Sequence, residues 1–74
     1  MGAYDLPAGV KIPSKYKRTL RARRFFIEGA QDAEAGRVGY DNPEDLIQHQ
    51  GAAAWEAYQE GRQAWARLQD SGNK

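Results

Sequence analysis

The sequence predicts an all-α protein, a two-helix antiparallel hairpin preceded by an extended N-terminal arm. Three observations lead there. Two long stretches place apolar residues at helical spacing. Between them lies a short Gly-containing loop, with a helix-stop signal before it and a helix-start signal after it. The first thirteen residues carry Pro7, Gly9 and Pro13, a pattern of extended chain and turns.

Each element follows from its residues. Residues 1–13 form the arm. Ser14 can cap a helix running from about Lys15 to Ala35, with Gly36 just past its end as the left-handed stop residue. Residues 36–42 are loop. Asn42-Pro43-Glu44-Asp45 then reads as a helix start: Asn42 caps, Pro43 loses nothing at the first helical position, and two acids face the positive end of the helix dipole. The second helix is expected to run to Leu68 or Asp70, ahead of Ser71-Gly72, with Gly51 and Gly61 inside it. The hairpin thus spans residues 14–70 as one domain, and residues 71–74 form a tail.

Helical periodicity names the packing faces. In the first helix Tyr16, Leu20, Ala22, Phe26, Ile27, Gly29, Ala30 and Ala33 share one side. In the second, Leu46, Ile47, Ala54, Ala57, Tyr58, Gly61, Ala64, Trp65 and Leu68 do the same. Gly29, Ala30, Ala33, Ala54, Ala57 and Gly61 are small enough to let the two axes approach closely. Two helices leave apolar residues over. Either the arm folds across the core through Tyr4, Leu6, Val10 and Ile12, or a second molecule covers the remainder.

Composition sets bounds. Seventy-four residues allow one domain with little stability to spare. Two Trp, four Tyr and two Phe supply the bulk that disordered chains lack. The absence of Cys excludes disulfides, thiolate metal sites and a Cys nucleophile, and fits a cytoplasmic setting. No apolar run is long enough to span a membrane, and no apolar segment precedes a cleavage site, so neither membrane association nor a signal peptide is expected.

Charge is split along the chain. Seven basic residues and no acid lie from Lys11 to Arg24, whereas from Phe25 onward nine acids face four basic residues, so the net charge of +1 hides a basic end. Lys17, Arg21 and Arg24 recur at helical spacing with Arg18 alongside, on the face opposite the apolar one. Several cations on one face suit phosphates or an acidic protein, and Phe25 beside Arg18 and Arg21 could stack on an unpaired base. The plainer readings are a solvated basic face, a surface pair between Arg24 and Glu28, and a Phe25 packed against the arm.

Catalytic chemistry finds no foothold. The one His, His49, has Ala53 four residues on rather than a carboxylate, and a general base needs an orienting partner. Asp41, Glu44 and Asp45 are explained by the helix dipole and lack the spacing of a calcium loop. No enzyme, metal or cofactor is expected.

The stretch "GAQDAEAGR", four residues and then "NP" resembles the ribosome modulation factor family of small bacterial proteins and their phage- and plasmid-borne relatives. Gly29, Gly36, Arg37, Asn42 and Pro43 stand at the family's spacings, and downstream Trp55, Tyr58, Gly61 and Trp65 give a looser match in which Arg62 replaces an aromatic. The resemblance implies a two-helix fold and binding to ribosomal RNA and protein. Carried onto this chain, Lys15, Lys17, Arg18, Arg21, Arg24, Phe25 and Arg37 would contact RNA. The alternative is a small, phage-encoded modulator that docks on a host protein through Trp55, Tyr58, Arg62 and Trp65. Either reading leaves room for a homodimer.

Overall fold

A computed structural model of the protein describes residues 6–7, 9–37, 39 and 43–72. Tyr4 in the arm and the expected cap Asn42 lie outside them. Among the described residues all regular structure is helical, as expected, but the two-helix hairpin gives way to three helices and a 3-10 turn: the turn at Ser14–Tyr16, α1 at Leu20–Ala35, α2 at Pro43–Gln50 and α3 at Ala52–Gly72.

The first helix starts later than expected, and Ser14 is not its cap. Ser14 opens the separate 3-10 turn, which ends in bends over residues 17–19. Thr19 caps α1 instead: it is extended (φ −127°, ψ 152°), and its Oγ1 accepts a hydrogen bond from the Ala22 N–H at 3.1 Å. The short turn has a packing reason. It inserts Tyr16, 5% exposed, against Phe26, with ring centroids 5.6 Å apart.

The end of α1 follows the sequence closely. Gly36 is left-handed (φ 72°, ψ 23°), its N–H donates to the Ala33 carbonyl, and the Arg37 N–H donates to the Asp32 carbonyl at 2.8 Å. That pair of bonds is the Schellman arrangement, which satisfies the last carbonyls of the helix.

The expected second helix is broken at Gly51. Its φ of +98° ends α2, where its N–H donates back to the Ile47 carbonyl at 2.9 Å; its own carbonyl then accepts the first bonds of α3, from Ala54 and Trp55. A side chain at this φ would clash with its own backbone, so Gly is the residue that permits the break. Beyond it α3 continues to Gly72, two to four residues past the expected end, a difference usual at fraying helix ends.

The core lies where α1 crosses α3, and the small residues set the distance. A Cβ on Gly29 would run into the Tyr58 carbonyl oxygen, and one on Gly61 into the Phe26 carbonyl oxygen, with Ala30 N 2.9 Å away. Ala30, Ala54 and Ala57 are fully buried beside them. Phe26 and Tyr58 are the largest fully buried side chains. The N-terminal arm is laid over this core: Val10 is buried, Leu6 and Ile12 are partly so, and Gly9 rests against Leu68. Leu20, expected on the core face, is instead 76% exposed, because α1 buries side chains only from Ala22 and chiefly from Phe25 onward.

Candidate nucleic-acid interface

The basic residues divide into two groups. Lys17, Arg18, Arg23 and Arg24 are exposed, and no ion pair engages them among the described residues. Arg24 therefore does not pair with Glu28 as the sequence suggested. The others are engaged. Lys15 lies 3.8 Å from Glu56, with both side chains largely in solvent, a contact of small energetic weight. The Arg21 Nη1 donates to the Gln50 carbonyl at 3.4 Å, at the negative end of α2. Arg37 belongs to a different part of the surface.

Two of the free cations, Arg23 and Arg24, border a cleft. Between the start of α1 and the end of α2 a space of about 550 Å³ is lined by Leu20, Arg21, Arg23, Arg24, Phe25 and Gln50. A smaller recess of about 250 Å³ adjoins it, sharing Arg24, Phe25 and Gln50 and adding Asp45, Leu46 and His49. Leu20 and Arg23 are not among the contact residues expected from the sequence. Arg23 stood in the basic run but off the chosen stripe, and Leu20 matched the core periodicity. Asp45 stands four residues before His49 and lines the same recess, so the expectation that His49 has no carboxylate at four-residue spacing on either side does not hold.

Phe25 is not an exposed stacking residue. It is 5% exposed, lies in the core cluster and forms part of the cleft wall. Burying an aromatic ring removes on the order of 150–250 Å² from water, which outweighs what an exposed ring would gain at a helix surface. Nor is Tyr58 a free anchor for a partner. It is 2% exposed, and its hydroxyl donates to Asp32 Oδ2 at 2.8 Å while accepting from the Gly39 N–H at 3.1 Å and from Arg62 Nη1 at 3.3 Å.

These bonds belong to one polar knot, buried at Asp32 and Tyr58 and open to solvent at Arg37. Asp32, 6% exposed, also meets Arg37 Nη2 at 3.2 Å, and Arg62 Nη1 donates to the Arg37 carbonyl at 2.7 Å. Arg37 and Arg62, read as RNA and protein contacts, thus tie the loop after α1 to α3. Burial, with the hydrogen bond to Asp32 second, raises the Tyr58 pKa above its ordinary value. Trp55 is half-buried and stacks on Tyr58 with centroids 5.9 Å apart; Trp65, also half-buried, borders a groove of about 520 Å³ with Ala33 and Arg62.

The described residues hold no cluster of His, Asp and Glu suited to a metal ion, and no helix among them is long and apolar enough to cross a membrane. No family model, curated protein or solved structure matches the chain.

Proposed function

We propose that the protein is a non-catalytic binding protein that holds RNA, ribosomal RNA foremost, through the exposed basic surface at the start of α1. The observation that carries this reading is the set of four exposed cations, Lys17, Arg18, Arg23 and Arg24, none of which is neutralised by an ion pair among the described residues. Free cations close together in the chain are what a phosphate backbone requires, since each contact releases condensed counterions. The resemblance of Gly29, Gly36-Arg37 and Asn42-Pro43 to the ribosome modulation factor family supports the same class of partner. The reading as a modulator of a host protein is weaker, because Tyr58 and Arg62, two of its four anchors, are committed to the polar knot.

Binding of labelled RNA measured against salt tests the proposal. Four phosphate contacts predict a slope of log K against log salt of about −3 for single-stranded RNA. The pair Arg23→Glu with Arg24→Glu should abolish binding while circular dichroism stays unchanged, since both side chains are exposed. Retention from bacterial lysate with and without RNase completes the test: partners that survive RNase and include no ribosomal protein would sink the RNA reading.

A further inference from the structure

The cleft at the start of α1 says more than its charge. A double-stranded backbone needs a row of cations, and paired RNA offers them phosphates and 2′-hydroxyls across a wide, shallow surface. It needs neither a recess nor an apolar group among the cations. This surface has both. The cleft is of the size that seats small ligands. At its edge stands Leu20, 76% exposed and surrounded in sequence by Arg18, Arg21, Arg23 and Arg24. A single exposed Leu is ordinary on a surface; one that lines an arginine-walled recess together with a side-chain amide is a composition suited to a nucleobase.

We propose that this cleft seats one unpaired nucleotide of a bound RNA. The inference rests on the RNA-binding reading and adds to it the form of RNA taken. Arg23 and Arg24 supply charge for the flanking phosphates and guanidinium planes on which a base stacks. Gln50 carries an amide that both donates and accepts, as the edge of a base requires. Leu20 covers the apolar face of the base or ribose. Arg21 acts as a positioning residue: its bond to the Gln50 carbonyl joins the two walls of the cleft. Specific recognition of RNA by proteins is directed mostly at such splayed, unpaired bases.

The test compares a short unstructured oligouridine with a fully paired RNA duplex bearing the same number of phosphates, both by fluorescence anisotropy at one salt concentration. Charge alone favours the duplex, whose phosphates are denser. The cleft predicts the reverse: seating one base outweighs the duplex's charge advantage, and the oligouridine binds more tightly. The pair Leu20→Ala with Gln50→Ala should erase that preference and leave the salt slope unchanged. Both positions are exposed, and circular dichroism checks that the fold survives. Equal or tighter binding of duplex by the wild type, or an unaffected preference in the double variant, overturns the nucleotide seat and leaves the RNA reading standing. Binding of neither RNA overturns both.

Discussion

Tyr58 is the residue at which sequence and structure part most clearly. Helical spacing places it on the packing face, which its burial bears out, whereas the host-protein alternative makes it an anchor for a partner; it is the hub of the polar knot. The reason lies in sequence distance: its partner Asp32 is twenty-six positions away, and periodicity carries no information about which polar atom a buried ring will meet. Tyr58→Phe keeps the ring but leaves Asp32 Oδ2 and the Gly39 N–H short of a partner, a loss of about 1–3 kcal/mol. In a domain of this size each kcal/mol lowers Tm by about 4–8 °C, which differential scanning calorimetry reads directly. The pH dependence has a definite sign. A phenol whose pKa is raised in the fold stabilises it fully below the ordinary value near 10, and that contribution is lost as pH climbs through the raised value. Wild-type stability should therefore be flat in this contribution up to about pH 10 and fall beyond it. The variant should fall less, keeping the shares owed to Tyr16, whose pKa burial also raises, and to Lys15, whose pKa its hydrogen bond with Tyr16 raises.

Among the elements, the two glycines expected inside one long helix illustrate what was legible and what was not. The stripe of small residues was read correctly from helical spacing: Gly29 and Gly61 do mark the closest approach of α1 and α3. The left-handed stop at Gly36 was equally visible, because a Gly after a periodic run has one common use. Gly51 was not, since Gly inside and Gly between helices look alike when apolar residues continue on both sides. The false start at Ser14 has a similar origin, as either Ser14 or Thr19 could cap, and only the insertion of Tyr16 beside Phe26 decides between them. The two internal glycines should respond differently to Ala. At Gly61 the new methyl meets the backbone of Phe26, which cannot turn aside, so the helices must separate; overpacking of about 1–3 kcal/mol exceeds any gain in helix propensity. At Gly51 nothing stands within 4 Å, and the loss comes from the left-handed backbone alone, about 1–2 kcal/mol. Gly51→Asn should recover part of that loss because Asn tolerates the conformation, whereas Gly61→Asn should be worse than Gly61→Ala. Urea midpoints for the four variants separate strain from crowding.

For the molecule as a whole, the arm decides whether so short a chain closes its own core. The sequence posed two ways of covering the apolar surface left by the helices, and Val10, Leu6 and Ile12 take the first. Periodicity could not choose between them, because an extended segment with Pro7 and Pro13 has no helical face to read. The arm also carries little of the basic run, of which only Lys11 falls within it. Deleting residues 1–12 should therefore separate stability from binding. Burial of one aliphatic side chain contributes about 1.5–3 kcal/mol, so losing Val10 with the partly buried Leu6 and Ile12 should remove about 3 kcal/mol or more. That is a large fraction of the stability available to a domain this small, and a fall in Tm of roughly 12–24 °C is expected. The uncovered patch around Leu68 should bind a hydrophobic dye or draw two truncated chains together, which sedimentation would detect. At a temperature where the truncated chain remains folded, the slope of RNA affinity against salt should stay within one phosphate contact of the full chain's, because Lys17, Arg18, Arg23 and Arg24 are retained. A collapse of that slope with the fold intact would move the binding surface off α1 and onto the arm.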